Sequence, residues 1–115
     1  MKIFHKNKIL ANKVKHCSDI LSNFKGLRFS KPLKDKQAII LESESENILE
    51  NMIDMLFVFF PIDVLWLDKN KRVVDLRRNV KPFTPIAIPK RPAKYIIELK
   101  KGMTNNINLG DELKF

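Results

Sequence analysis

A chain of 115 residues, 44% hydrophobic and 30% charged, has the size and balance of one domain over 1–115 with a single core. Its lone cysteine, Cys17, excludes an internal disulfide and any multi-cysteine zinc or iron–sulfur site built by one chain, and suits a reducing, cytoplasmic setting. The net charge of +9 falls in blocks: ten basic against two acidic side chains from Lys2 to Lys36, seven acidic and no basic from Gln37 to Asp68, and eleven basic against two acidic from Lys69 to Lys101.

Lys2 to Phe4 predicts a short first strand turning through His5-Lys6-Asn7-Lys8, and no apolar stretch of signal-peptide length follows this basic start. Ile9 to Cys17 reads as one strand, with Leu10, Val14 and His16 on one face and Lys13 and Lys15 on the other. Ser18 has the chemistry of a helix N-cap and Asp19 suits the first turn. Ile20, Leu21, Phe24 and Leu27 then fall at helical spacing, and Gly26 stands where a left-handed C-cap belongs. The expectation is one short N-terminal helix of about two turns.

After a turn at Ser30 to Leu33, the unbroken apolar run Ala38 to Leu41 predicts a strand covered on both sides. Glu42 to Glu46 is polar enough for a loop. Ile48 to Ile53 fits either a helix or an extended segment, since Ile48, Leu49, Met52 and Ile53 have helical spacing while Leu49, Ile53 and Met55 suit a strand. Leu56 to Phe60 is apolar throughout and ends at Pro61, which interrupts any helix. Val64 to Leu67 predicts a buried strand, Asp68-Lys69-Asn70-Lys71 a hairpin turn, and Arg72 to Arg77 the returning strand with Val74 and Leu76 inward.

Pro82, Pro85, Pro89 and Pro92 make the next stretch a stiff, extended connection. Lys94 to Leu99 alternates, placing Tyr95, Ile97 and Leu99 on one face. Gly102 opens a turn, Met103 to Ile107 offers one further helical turn, and Gly110-Asp111 introduces a last strand from Glu112 to Phe115. The most apolar segment, Met55 to Leu67, contains Pro61 and Asp63 and is well short of the roughly 20 residues of a membrane span.

Several of these segments together resemble a known family. Lys25-Gly26-Leu27-Arg28-Phe29 is similar to the R-G-L-M-F-R segment of the domain of unknown function 192, also called uncharacterised protein family 0127. Pro61-Ile62-Asp63-Val64-Leu65-Trp66-Leu67-Asp68 resembles its P-L-D-I-I-F-I-D strand, and Arg72-Val73-Val74 the G-R-V-V after it. Ala93 to Leu99 followed by Gly102 resembles A-x-Y-V-L-E-L-x-x-G, and Gly110-Asp111 its closing G-D. The family's F-W-M-K-N-T stands as Ile53 to Val58 here, keeping only Met55, and its final Pro-Ala is Lys100-Lys101. The chain looks like the short, unexported branch found in archaea. The resemblance implies a β-sandwich or barrel-like fold with one helix, favours the extended reading of Leu49 to Met55, and implies no activity. With the helix at Ser18 to Leu27 and a helical turn near Met103, the expected class is mainly β.

The candidate chemistry is sparse. Asp63 lies inside an apolar run, where a carboxylate needs hydrogen-bond donors or a cation. It is read either as a ligand-orienting or general-acid group, with Arg28 as its partner, or as an acceptor of backbone N–H groups at a strand entry. The charge blocks suggest an anionic partner, or an acidic middle that neutralises basic flanks. Arg77, Arg78, Lys81, Lys90, Arg91 and Lys94 form a candidate ridge for such a partner. Beside Phe83 and Tyr95 it would suit single-stranded nucleic acid. His16 and Cys17, with His5 upstream, are adjacent strand residues that face opposite ways and do not chelate together. Glu42, Glu44 and Glu46 lack the pattern of a calcium loop. No phosphate loop, nucleophile elbow or zinc-protease motif occurs, and neither metal nor cofactor is implied. Leu56 to Phe60 is read as core, or as a patch that docks a partner. The leading expectation is a non-catalytic binding or interaction module. The alternatives are nucleic-acid binding through the ridge and an enzyme using Asp63.

Overall fold

The computed structural model describes residues 1–18, 27 and 30–115. Eight strands are arranged in two sheets: β1 (Ile3–His5), β2 (Lys8–Ala11), β3 (Lys13–Cys17), β4 (Gln37–Asn47), β5 (Ile62–Leu67), β6 (Val73–Val80), β7 (Ala93–Lys100) and β8 (Leu113–Lys114). The larger sheet has the order β3-β4-β7-β5-β6, and the smaller has β2-β1-β8. Among the described residues only the β3–β4 pair is parallel; the other strand pairings are antiparallel.

The middle of the large sheet is covered on both faces, as the unbroken apolar runs require. All six residues of β5 are buried. On one face Ile39, Leu41, Ile62, Val64, Trp66 and Ile96 form a core. On the other, Ala38, Ile40, Leu65, Leu67, Tyr95, Ile97 and Leu99 form a second. The small sheet closes this second core with Ile3, Leu10, Ala11 and Leu113. The first is closed by Ile53, Met55, Val58, Phe60 and Ala87, which lie on the long connections before β5 and β7.

Those connections are laced to each other. Ile53 and Ala87 exchange both backbone hydrogen bonds (3.0 and 2.7 Å), Met55 N–H donates to the Thr84 carbonyl (2.8 Å), and Phe83 N–H donates to that of Met55 (3.0 Å). The layer is tied to the sheet through Asn51. Its buried amide donates to the carbonyls of Ala93 (2.7 Å) and Asn47 (3.0 Å) and to Ser43 Oγ (3.1 Å), while its own carbonyl accepts from Trp66 Nε1 (2.7 Å).

The expected fold class is corrected here. The described residues hold two sheets and a single 3-10 turn, Leu49–Asn51, with no α-helix. The helix expected from Ser18 to Leu27 falls on residues 19–26, outside the described residues. Among the described residues, the two faces of the large sheet are covered by the small sheet and the laced connections, with Leu27 and Leu33 also packed on the first core. The further helical turn near Met103 resolves into separate turns, Met103 N–H to Lys100 O (3.1 Å) and Ile107 N–H to Thr104 O (2.9 Å).

The segment from Ile9 to Cys17 is two strands in different sheets. The chain breaks at Asn12, where the amides of Asn12 and Lys13 both donate to the Lys36 carbonyl (2.9 and 3.0 Å). Glu42 to Glu46 continues β4 instead of looping, and the extended reading of Leu49 to Met55 holds only beyond the 3-10 turn. The β1–β2 hairpin turns through Lys6 and Asn7, both at positive φ (49° and 64°), as a two-residue primed turn requires. The β5–β6 hairpin turns where expected, with Asp68 Oδ1 accepting from the amides of Asn70 (2.9 Å) and Arg72 (3.0 Å). No helix among the described residues is long and apolar enough to cross a membrane.

Candidate functional site

Asp63 sits on β5 with 0% exposure. Opposite it, β6 carries an extra residue between the pairs Ile62–Val80 and Val64–Arg77, and Asn79 adopts φ 54°. This bulge turns the Asn79 amide onto Asp63 Oδ1 (2.9 Å). Oδ2 accepts from Thr104 Oγ1 (2.7 Å) and from the amides of Gly102 (3.1 Å) and Thr104 (3.3 Å). Four donors and complete burial leave neither oxygen a route to a substrate. The carboxylate is a structural acceptor that pins the turn after β7 and the β6 bulge to the central strand. Arg28, its expected partner, lies outside the described residues.

The basic ridge divides. Arg78 is occupied by the carbonyls of Ile107 (2.7 Å) and Thr104 (3.0 Å). Lys94 is half-buried against Glu42 (2.7 Å), which also meets His16 Nε2 (2.8 Å). The hydrogen bond from Lys94 holds the Glu42 carboxyl below the usual range, against the opposing effect of burial and with help from His16; the same bond raises the Lys94 ammonium. One carboxylate of the acidic middle, Glu42, thus meets a residue from each basic flank. Arg77, Lys81, Lys90 and Arg91 are exposed, and the Lys90 amide is anchored on Asp75 Oδ2 (2.9 Å). Tyr95 touches the ridge only through Lys94, whose Nζ lies 5.2 Å from its ring centroid; the ring itself is buried, edge-on to Phe115 (5.2 Å), with Lys71 over the Phe115 ring (4.1 Å).

The metal-type donors are dispersed. Cys17 is buried in the first core, while His16 is exposed on the other side of β3. His5 is bonded to Asp111 (2.8 Å). Among the described residues no three His, Cys, Asp or Glu side chains converge.

What does converge is aromatic. In the run before β5, Met55, Val58 and Phe60 point into the core, whereas Phe57 and Phe59 stay 48% and 60% exposed. The reversal is made at Phe57, whose φ of 60° takes the chain out of regular extension. Phe83, 47% exposed, is brought beside them by the lacing between Met55 and Thr84. Its ring meets Phe59 at 5.2 Å and 76° and Phe57 at 6.5 Å and 70°, both edge-to-face. Leu56, Ile86 and Ile88 on the same two connections are also exposed. The sequence marked Leu56 to Phe60 as either core or docking patch. Its inner side chains are core and its outer ones are exposed, and Phe83 packs with the exposed ones.

Comparison with known proteins places this arrangement. A protein of Thermococcus sibiricus in uncharacterised protein family 0127 is 36% identical over 110 residues, covering 94% of this chain and 69% of its own. One from Pyrococcus furiosus in the same family is 34% identical over 112 residues, covering 96% and 92%. The fold is shared with a crystal structure of a protein of unknown function from Novosphingobium aromaticivorans (TM-score 0.82, 19% identity, 89% of this chain and 74% of that one). It is shared equally with a candidate transcription regulator from Sinorhizobium meliloti (TM-score 0.82, 19% identity, 88% and 79%). The profile of DUF192 (Uncharacterized ACR) matches residues 2–115, and with these relatives it shows that the chain belongs to that family, whose function is uncharacterised.

Proposed function

We propose that the chain acts as a single-domain, cytoplasmic, non-catalytic interaction module that docks a partner protein on its laced connections. The observation that supports this reading is the exposed cluster of Phe57, Phe59 and Phe83, extended by Leu56, Ile86 and Ile88. Contiguous apolar surface of this kind is costly to leave in water and marks interaction sites. Lys81, Lys90 and Arg91 lie on the same connection as Phe83 and are exposed. The partner that fits is therefore a protein surface offering apolar side chains rimmed by carboxylates. A second copy of this chain fits less well, because each copy carries +9.

Nucleic acid is the second reading, favoured by the same exposed basic residues and by the description of the Sinorhizobium meliloti structural neighbour as a candidate transcription regulator. Against it, Phe57 and Phe59 each pack edge-to-face with Phe83 instead of presenting separate faces for bases. An enzyme using Asp63 finds no support in a carboxylate sealed by four donors.

The test is site-specific photocrosslinking in cells, with benzoylphenylalanine at position 59 or, as a control, at the exposed apolar position 109. The expected result is one discrete protein adduct from position 59, absent from 109 and lost when Phe57 and Phe83 are replaced by Ser. Adducts to nucleic acid, equal adducts from both positions, or none at all would overturn the proposal.

A further inference from the structure

We propose that a second, separate site binds a small phosphate-bearing molecule in the cleft between the β1–β2 hairpin and the turns that follow β7. The cleft has a volume of about 370 Å³ and shares no residue with the aromatic cluster. That volume is at the lower end of the range for small-molecule sites, roughly 300–1,000 Å³. Its polar wall is made by Lys6, Lys8, Lys36, His5 and Asn106, and Leu10, Ile107 and Met103 supply an apolar part.

Among the described residues no acidic side chain lines it. The neighbouring carboxylate, Asp111, is held by His5 Nε2 (2.8 Å) and the Asn108 amide (3.0 Å). Three lysines that line one concavity reinforce each other's field, and a concave wall focuses it. Asp111 interacts with Lys6 and offsets part of that field, and a dianion suits what remains. A phosphomonoester, carrying about −1.5 to −2 charges at neutral pH, supplies one where a single carboxylate leaves an excess. Lysine recognises phosphate as a point charge, without the fixed fork geometry of arginine. The site is also prepared. The two left-handed residues of the hairpin turn, Lys6 and Asn7, fix the strand ends that carry Lys6 and Lys8. Lys36 Nζ is drawn across to the Ile9 carbonyl (2.8 Å), with its own backbone at φ 66°. Leu10 and Ile107 are buried and belong to the second core, so the apolar part is a rigid floor able to take a ring or short hydrocarbon.

The experiment is an NMR titration of the full chain with phenyl phosphate, inorganic phosphate and benzoate. Phenyl phosphate is expected to shift the methyl signals of Ile9, Leu10, Met103 and Ile107, and to bind more tightly than either of the others. Lys8→Gln, an exposed change, and Lys36→Gln are each expected to weaken binding by about three- to fivefold, the loss of one partly solvated ion pair. Shifts centred on Arg77, Lys90 and Arg91, equal binding of benzoate, or binding unchanged in Lys8→Gln would overturn the proposal. The aromatic-cluster variants are expected to bind phenyl phosphate normally.

Discussion

Asp63 shows how a single residue can be legible in type but not in role. An acid inside the run Pro61 to Leu67 announces that donors must be supplied, because an unpaired buried carboxylate is too costly to keep. What the sequence does not reveal is the source of those donors. Gly102 and Thr104 are about forty positions away and reach Asp63 only because β7 pairs with β5. Asp63→Asn turns an NH₂ group toward N–H donors on one side or the other. It is expected to cost about 3 kcal/mol in urea unfolding, with the exposed aromatic surface unchanged. Asp111 gives a pH signature. The Asn108 amide, and after it His5, hold its carboxyl below the ordinary value of 3.8. A lowered folded-state pKa contributes stability that is complete above the unfolded value and is lost as pH falls through the folded one. Asp111→Asn is therefore expected to be less stable than the parent at neutral pH, with the gap closing under acid. Unfolding curves recorded across the acid range check this; a gap that widens on acidification would contradict it.

At the scale of elements, patterns confined to one strand were readable and those set by pairing were not. The run Val64 to Leu67 and the alternation of Tyr95, Ile97 and Leu99 each carry their burial in their own side chains, and both are strands. The Asp68 to Lys71 turn is equally local. Glu42 to Glu46 has the composition of a loop, yet it continues β4: Glu42 pairs with Tyr95, Asn47 with Ala93, and Lys94 supplies a partner for Glu42. That register also removes Lys94 from the ridge, a fact no window around Lys94 contains. In Leu56 to Phe60 every side chain is apolar, so no period distinguishes the inward residues from the outward ones. Only the φ of Phe57 does. The 3-10 turn at Leu49–Asn51 is held chiefly through Asn51, whose side chain and carbonyl serve four partners. Asn51→Ala leaves the Ala93 and Asn47 carbonyls and Ser43 without that donor. It is expected to cost about 2–3 kcal/mol, with Trp66 fluorescence reporting looser packing on the same face. A neutral effect would mean that the turn is not what fixes this layer.

For the whole molecule, the division of labour follows from how the large sheet is covered. One face is closed by a second sheet, and the other by connections whose inner side chains are core and whose outer ones are exposed rings. The family resemblance read from the sequence identified the β-rich fold and the strands around Trp66 and Tyr95. The exposed aromatic cluster depends on Phe83 meeting Phe59, which required the lacing of two segments distant in the chain. The decisive question is whether those rings serve the fold or a partner. Urea unfolding of Phe59→Ser beside Phe60→Ala answers it, since the two neighbours are 60% and 8% exposed. Phe59→Ser is expected to stay within about 1 kcal/mol of the parent, and Phe60→Ala to lose about 3–5 kcal/mol as a core truncation does. Comparable losses at both positions would contradict the assignment of Phe59 to a surface held for recognition.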